Sequence, residues 1–543
     1  MVFARRSTTL LAAIIASCAM VLSLTACTSD NKTVVDGQTT VTSNSAGGVA
    51  VFTPSDGITL NQQTPLNKWA KLVPDLAKAL ADAGFKKGDI DHTTSDSLAK
   101  QSRAIQDFVV DHLSNNTTDD SGIAIAPDNM TLLVAPVVEA DASTRQYGDY
   151  ISQNLSTNDA TDGEATSDGE SSEDDSSKDD SSNTESDSTA SDEQAQAVDR
   201  LVSSLKLAKE SGMHVVLLGN SIEGYKPDAF VKFSDAQTIG KLQAEKMVSK
   251  LKLDKASKDN PKYIEVLLPY TAVDEKGNAN DSTFAQEAFR GIWQVLGSYY
   301  QKGVVESPSG TLDGKSTEND WQAVAYDAAK EGSTAKVLDK RLAKTDGQST
   351  LTRIDGIITM NDYIASEVVK ELDDLGYTGS AADINPQITI SGIVGNIPGK
   401  KDLSRDAVPD PIKSPENDNA NDSSSSDDDA DEDTSASDKD RDSQWPLVTG
   451  YGAYVSNIPS IVNGKQWMTG MEDRQTIATD IAQACAKLNK DEALNSMPSI
   501  RNSEVGGVKK IPTISEPLLA VSASNLKSAL IDPGYISLAD AGL

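Results

Sequence analysis

The sequence is poor in the residue types on which most reactive sites depend. It contains three cysteines, three histidines and only 5% aromatic residues among 543. The histidines at positions 92, 112 and 214 lie between ordinary strand or helix positions, and G-x-S-x-G, H-E-x-x-H, phosphate-loop and paired-cysteine motifs are absent. Lysine and arginine total 49 against 82 aspartates and glutamates, with no concentrated basic stretch. We therefore predict a protein that is not an enzyme and has no cofactor, no metal site and no nucleic-acid partner.

The cysteines leave no pair for a disulfide in the mature chain that we predict. Cys18 would leave with a signal segment and Cys27 would carry lipid, so that Cys485 stays alone. Ile481 and Leu488 flank Cys485 at helical spacing, which predicts a buried structural thiol rather than a nucleophile. Stability must then come from a hydrophobic core, which a chain of this length can build.

The N-terminus predicts a lipid anchor. Arg5 and Arg6 precede an apolar run over 10–24, and the sequence Leu-Thr-Ala-Cys that ends at Cys27 fits a bacterial lipobox. The apolar run is shorter than the roughly 20 residues of a membrane span. We predict cleavage before Cys27 and attachment to the cell membrane, on its extracytoplasmic face, through lipid on Cys27. The alternatives are an ordinary secretory signal with a chance cysteine and an uncleaved anchor helix.

The net charge of −33 is concentrated in two Ser/Asp-rich tracts. Residues 159–193 contain 14 acidic residues and one lysine, and residues 416–442 contain 12 acidic and two basic residues. Both tracts have almost no apolar side chains to bury, so we predict disordered insertions over 155–194 and 400–444. Calcium binding is the alternative, although neither tract has the spacing of an EF-hand loop.

Between and around these tracts the sequence alternates strand-like apolar runs with helical periodicity, which predicts an α/β fold. Predicted strands include 49–53, 90–94, 131–137, 215–218, 263–268, 354–360, 387–392 and 446–449, and predicted helices include 69–83, 98–113, 284–299 and 321–338. Gly219 with Asn220, and Gly450 with Gly452, follow strands and allow sharp turns. We predict that the chain crosses between two lobes near Asn220 and Tyr451.

Two segments carry a resemblance to a known family. Trp445 to Ala478 has a strand, a glycine corner, a helix, a strand and a charged turn at Glu472, Asp473 and Arg474. From Ala229 the sequence AFVKFSDAQTIGKLQA follows the pattern YVSFDNxxVGxLQA. Both segments resemble type I periplasmic-binding proteins for monosaccharides, the xylose and multiple-sugar receptors of ABC importers, in which the first has the form VVTGQDAE with a KDTR-like turn.

The resemblance implies two Rossmann-like lobes with parallel sheets joined by a three-crossover hinge, the periplasmic binding protein type I fold. The implied division is a signal peptide over 1–26, a tether over 27–47, an N-terminal lobe over 48–220 and 453–510, and a C-terminal lobe over 221–452 and 511–543. Such folds place their ligands in a cleft at the sheet edges between the lobes.

The resemblance also implies ligand-binding residues. Trp69 matches the cleft residue of an ERW motif, Asn361 and Asp362 match an SND pair, Asn280 and Asp281 fall in a polar DNN-like turn, and Trp321 is a second candidate ring. Asn220, Tyr451 and Glu472 stand where the family has the Arg of YDR, the Gln of GQD and the Lys of the charged turn. Packing roles for Trp69 and Trp321, a structural role for the 361–362 pair and a plain turn at 280–281 stay open.

These residues predict a lipid-anchored receptor that binds a sugar or sugar-like solute between its lobes and delivers it to an ABC permease. Asn220, Gly452 and Glu472 replace an Arg, an Asp and a Lys, which removes charge-assisted hydrogen bonds from a sugar site. The alternative is therefore a surface lipoprotein that keeps the fold for protein or cell-wall contact without transport.

Overall fold

Two large β-sheets, each covered by helices on both faces, and two further two-stranded sheets form the part of the protein that the structure describes. The computed structural model describes residues 46–55, 65–115, 126–138, 146–151, 153–157, 184–273, 280–328, 330–343, 350–381 and 445–543. The predicted signal peptide, Cys27 and nearly all of the tether lie outside the described residues. So do most of the insertion 155–194, all of the insertion 400–444 and the predicted strand 387–392.

The strands, numbered in chain order, are β1 (Gly48–Pro54), β2 (Ile90–Ser95), β3 (Met130–Val134), β4 (Asn154–Leu155), β5 (His214–Leu218), β6 (Ser221–Ile222), β7 (Ala229–Lys232), β8 (Lys262–Val266), β9 (Leu268–Pro269), β10 (Val305–Glu306), β11 (Ala325–Tyr326), β12 (Gly356–Ile358), β13 (Leu447–Tyr451), β14 (Met468–Met471), β15 (Ile500–Val505), β16 (Val508–Ser515) and β17 (Leu519–Ser522). The helices are α1 (Trp69–Asp82), α2 (Leu98–Asn115), α3 (Thr184–Glu210), α4 (Ala236–Lys250), α5 (Thr283–Gln301), α6 (Trp321–Val324), α7 (Ser333–Arg341), α8 (Asp362–Asp374), α9 (Ile458–Val462) and α10 (Arg474–Leu488). A π-helical turn, Lys527–Ile531, follows β17.

The first sheet has the order β15-β16-β7-β5-β3-β1-β2 and the second the order β10-β8-β12-β13-β14-β17. The strands β2-β1-β3-β5-β7 and β10-β8-β12-β13-β14 are parallel within each set. Both sets have the same arrangement: β2, which follows β1 in the chain, lies on the outer side of β1, and β10 lies in the same way on the outer side of β8. This is the doubly wound order that places ligands at the carboxyl ends of the strands. Only β15 with β16, and β14 with β17, pair antiparallel within these two sheets.

Alternation along β1 shows why each sheet needs two helical layers. Val49 and Val51 pack with α1 and α10, whereas Ala50 and Phe52 pack with α2 and α3 on the opposite face. Strands buried on both sides read as continuous apolar runs, which is the pattern that the sequence shows. The second sheet is covered by α4 and α5 on one face and by α7 and α8 on the other.

Three elements differ from the sequence-based expectation. The single helix predicted over 321–338 is instead α6 and α7, because the chain becomes extended at β11 to pair with β9, and α7 begins after Gly332. The α3 helix begins at Thr184, inside the predicted disordered insertion, since a helix can propagate from packed turns into a polar segment. The predicted lobe boundary after residue 510 falls inside β16, which stays in the first sheet up to Ser515 because it pairs with β15 and β7.

Candidate functional site

The described chain passes between the two sheets at three places. It leaves the first sheet after β7 through residues 233–235 and enters α4, which covers the second sheet. It returns after β14 through Glu472 and Asp473 into α10, which covers the first sheet. The third crossing spans residues 516–518, between β16 and β17. Three connecting segments therefore join the two sheets, as a three-crossover hinge requires. Below, each of these sheets with its covering helices is called a half, the first half containing the first sheet and the second half the second sheet.

The first two crossings lie one strand later than predicted. Asn220 follows β5, which pairs with β7 in the first sheet, and Tyr451 ends β13, which pairs with β14 in the second sheet. The glycines beside them, Gly219 and Gly452, have φ angles of +70° and +114° and turn the chain at strand ends within one sheet. The first actual crossing ends in an extended Asp235 and contains no glycine, so glycine corners do not mark it. That the two halves move as separate lobes stays a prediction.

Residues 146–151, here called the cleft segment, connect the carboxyl ends of the two sheets. On the second half, Gln146 Oε1 accepts a hydrogen bond from Asn361 Nδ2 at 3.1 Å, and the Gln146 carbonyl accepts one from the Tyr454 hydroxyl at 2.6 Å. On the first half, Asp149 accepts a hydrogen bond from the Trp69 backbone N–H at 3.1 Å. The protein's own chain therefore occupies part of the space between the sheets.

The side chain of Tyr147, in the cleft segment, inserts into the second half. Its side chain is 1% exposed and belongs to the core between the second sheet and α5. The Tyr147 ring lies 4.7 Å from the Phe284 ring and 6.3 Å from the Tyr451 ring, measured between centroids. These are ordinary distances for interacting aromatic pairs, so Tyr147 is held by aromatic packing.

Trp69 lies in an aromatic cluster on the first half. It begins α1, is 3% exposed, and meets the Tyr150 and Phe233 rings edge-on at 5.1 and 5.7 Å. Tyr150, from the cleft segment, donates to the Lys68 carbonyl at 2.5 Å. In this structure the Trp69 ring thus packs against protein rings.

Asn361 and Asp362 have different surroundings. Asn361 Oδ1 caps α8 by accepting from the Ile364 N–H at 2.9 Å, which leaves its amide nitrogen for Gln146. Asp362 faces into the second half, where its carboxylate accepts from Gln466 Nε2, Thr469 Oγ1 and the Tyr454 N–H at 2.7–2.9 Å. Burial raises the pKa of Asp362 to about 6, and these hydrogen bonds oppose the rise.

Non-glycine residues in the left-handed backbone region follow the two strands that lead to this network. Met360, after β12, has φ of +68°, and Ala453, after β13, has φ of +50°. Such conformations cost about 1–3 kcal/mol each and persist where the surroundings impose them. The Asp362 hydrogen bonds to Tyr454 and Thr469 supply that constraint on the second turn.

Glu472 joins two of the crossings. Its Oε1 accepts from the Ser234 backbone N–H at 2.6 Å and from the Ser234 hydroxyl, and it lies 3.4 Å from the Tyr451 hydroxyl. The Ser234 and Tyr451 hydroxyls are 2.5 Å apart. Burial raises the pKa of Glu472 to about 7, and the Asp235 charge adds to the rise while the Ser234 and Tyr451 hydrogen bonds oppose it. Burial also raises the pKa of Tyr451 well above its ordinary value.

The remaining predicted residues are dispersed. Asn220 connects the Pro136 carbonyl to the Gln153 N–H, at the carboxyl ends of the first sheet. Asn280 closes a turn by donating to the Thr271 carbonyl at 2.8 Å, and Trp321 packs edge-on against Tyr270 at 5.1 Å. Asp281 Oδ1 accepts from the Thr283 N–H and hydroxyl at the start of α5. A ligand role for each of these residues stays a prediction.

A cavity of about 500 Å³ lies beside the cleft segment. Its lining comes from the cleft segment and the stretch after it, from the first crossing and α4, and from the start of α5: Ile151, Gln153, Asn154, Ser156, Asp235, Ala236, Gln237, Asp281, Thr283, Phe284 and Glu287. Of the predicted ligand-binding residues, only Asp281 lines this cavity. Its volume falls within the range of about 300–1,000 Å³ that is typical of small-molecule sites.

Other kinds of site find little support in the part of the chain that the structure describes. No three His, Cys, Asp or Glu side chains there are grouped closely enough to hold a metal ion. Cys485 is fully buried, which raises the pKa of its thiol, and the prediction of a buried thiol is confirmed. None of the described helices combines the length and the apolar character that a membrane span needs.

The sequence analysis missed the cleft segment. Tyr147, Tyr150 and Ile151 are the signal that could have found it, because three large side chains stand in an otherwise polar stretch between β3 and the first acidic tract. Ser234 was also missed, although it directly precedes the Asp235 helix cap.

Comparison with known proteins gives structural matches alone. No family model and no curated protein matches the sequence. Among solved structures, the chain is similar to an ABC transporter solute-binding protein from Clostridium phytofermentans with bound β-D-glucose, at 16% identity and a TM-score of 0.44, covering 91% of this chain and 99% of that one. A carbohydrate transporter solute-binding protein from Chloroflexus aurantiacus in complex with D-glucose matches at 18% identity and a TM-score of 0.42, covering 91% and 98%. A periplasmic ribose ABC transporter protein from Conexibacter woesei matches at 12% identity and a TM-score of 0.42, covering 90% and 96%. The architecture of this chain is established by its own two sheets and three crossings.

Proposed function

We propose that this protein is an extracytoplasmic solute-binding protein, anchored by lipid on Cys27, that takes a sugar or sugar-like solute between its two halves and delivers it to an ABC permease. The observation that supports it is the convergence of amide, hydroxyl and aromatic groups from both halves at the carboxyl ends of two doubly wound sheets. Sugars are bound by such sets, because their C–H faces stack on rings and their hydroxyls need hydrogen-bond partners.

A thermal-shift screen of the protein against pentoses, hexoses, oligosaccharides and nucleosides tests the binding role. A ligand at a free concentration of a hundred times its Kd stabilises the folded state by about 2.7 kcal/mol through mass action, so a true ligand raises the Tm. The matched control for each hit is its mirror-image sugar, which has the same solvent effect and the wrong stereochemistry. A panel without stereospecific hits would contradict the proposal.

A second candidate is a surface lipoprotein that keeps this fold for protein or cell-wall contact without transport. The cleft segment favours it, because Gln146, Tyr147 and Tyr150 already satisfy or cover groups that a solute would meet. A panel without hits, together with retention of purified cell wall by the protein, would favour this candidate over the first.

The anchor is tested separately. In cells fed a labelled fatty acid, the natural protein should incorporate label and fractionate with membranes, and Cys27→Ala should do neither. Cys485→Ala is the matched control and should leave labelling unchanged, since that thiol is buried. Labelling of Cys27→Ala would contradict the assignment of the lipid to Cys27.

A further inference from the structure

The cleft segment makes two kinds of contact with the second half that a bound sugar could also make. Gln146 offers a polar oxygen to the Asn361 amide at 3.1 Å. Tyr147 offers a ring to Phe284 at 4.7 Å and to Tyr451 at 6.3 Å. A hydroxylated six-membered ring could make both contacts, with hydroxyls on the amide and a C–H face on the aromatic rings.

A cavity lies beside the segment. Phe284 contacts the Tyr147 ring and also lines the cavity of about 500 Å³, which continues along Ile151 and Asn154. A solute that enters this cavity therefore reaches Phe284, whose ring packs on Tyr147. The cavity is also large enough to receive a displaced side chain.

We propose that residues 146–151 are a built-in occupant of the solute site, so that a neutral, ring-shaped, hydroxylated solute binds on Phe284, Tyr451 and Asn361 by displacing Tyr147 and Gln146. This inference rests on the proposed solute-binding function. The segment lowers the apparent affinity, because only the fraction of molecules with the segment displaced can bind.

The charges around the cavity define the class of solute. Asp235, Asp281 and Glu287 line it, and none of the described lining residues is lysine or arginine. Lys232 pairs with Asp235 at 2.9 Å and Arg290 pairs with Glu287, but Asp281 has a hydrogen-bonded hydroxyl and N–H as its partners. Because Phe284 lines this cavity, an anionic sugar that enters through it would meet uncompensated negative charge at Asp281. We therefore expect the site to favour neutral sugars over sugar phosphates and uronates.

Calorimetric titration of Tyr147→Ala and of the natural protein tests the inference. The probes are D-xylose, D-glucose, D-glucuronate and D-glucose 6-phosphate. We expect Tyr147→Ala to bind a neutral sugar at least tenfold more tightly than the natural protein, or to bind one that the natural protein does not, and to bind neither anion. Tyr147→Phe keeps the ring and should stay within twofold of the natural protein. Tyr299→Ala, at a partly buried tyrosine near the C-terminal end of α5, is the matched control and should also stay within twofold.

Equal or weaker binding of neutral sugars by Tyr147→Ala, with binding by the natural protein, would overturn this inference and leave the proposed function standing. Absence of binding by both proteins would overturn both. Hydrogen exchange guards against a folding defect in the variant. In each protein that binds sugar, the amides of helices α4 and α5 should exchange at the rates of the natural protein. In the natural protein, a bound sugar should also speed the exchange of the amides in 146–151. Slower exchange of those amides on sugar addition would overturn the inference.

Discussion

Two buried carboxyl groups near the cleft, Asp362 and Glu472, are fixed in different ways. Asp362 accepts hydrogen bonds on both oxygens, all from residues of the second half. Glu472 accepts its hydrogen bonds on Oε1, and its main donor, Ser234, belongs to a different crossing. Both side chains are buried, and burial is the main cause of the raised pKa in each.

These hydrogen bonds predict different structural roles for the two carboxyl groups. Asp362 fixes the turns after β12 and β13 to each other, so its loss should lower the stability of the second half itself. Glu472 links two crossings, so its protonation state should affect how the two halves are joined. Three substitutions, in order of decreasing expected effect, test this distinction.

Asp362→Ala should give the largest loss. It leaves the Gln466 amide, the Thr469 hydroxyl and the Tyr454 N–H without their carboxylate, and each unsatisfied buried donor costs about 1–3 kcal/mol. We expect the free energy of unfolding in urea to fall by about 3–5 kcal/mol. Asp374→Ala, at an exposed position near the end of the same helix, should change it by less than about 0.5 kcal/mol. Similar losses in the two variants would refute the supporting role.

Glu472→Gln should mainly change the pH dependence. The folded pKa of about 7 lies above the ordinary value of 4.5, so the folded state holds a proton that the unfolded state has lost between these pH values. Stability should therefore fall as pH rises through that window, by roughly 3 kcal/mol for Glu472. In Glu472→Gln the fall above pH 6 should disappear, while the contribution of Asp362, between 3.8 and about 6, remains. Urea unfolding from pH 4 to 8 measures both, and an unchanged slope above pH 6 would contradict the assignment.

Ser234→Ala should have the smallest effect on stability. It removes the hydroxyl on Glu472 and Tyr451 but keeps the backbone donor, for a loss of about 1 kcal/mol. Because that hydroxyl lowers the pKa of Glu472, its removal should move the pH midpoint of the stability change upward. Ser366→Ala, which loses a hydroxyl bonded within α8, is the control and should leave the midpoint in place. A downward shift in Ser234→Ala would count against Glu472 as the titrating group.

The sequence was sufficient for the α/β class because parallel strands buried on both faces read as apolar runs, as in β3 and β5. It placed the crossings one strand early because Gly219 and Gly452 mark turns at strand ends, whereas the crossing at Ser234 is extended and uses residues with side chains. Asn361 and Asp362 were found together by motif, but the direction in which each side chain points depends on Gln466 and Thr469, about a hundred residues away. The cleft segment escaped because its partners Phe284 and Tyr451 come from distant strands and helices, which no local pattern reveals.

We propose that a solute binds between the carboxyl ends of the two sheets, in contact with Asn361, Phe284 and Tyr451. A crystal structure of the protein with the tightest neutral sugar from the screen tests it most directly. We expect sugar density on the Phe284 ring within hydrogen-bond distance of the Asn361 amide, with Tyr147 displaced from its present position. Sugar bound elsewhere, with Tyr147 still packed between Phe284 and Tyr451, would rule out this site.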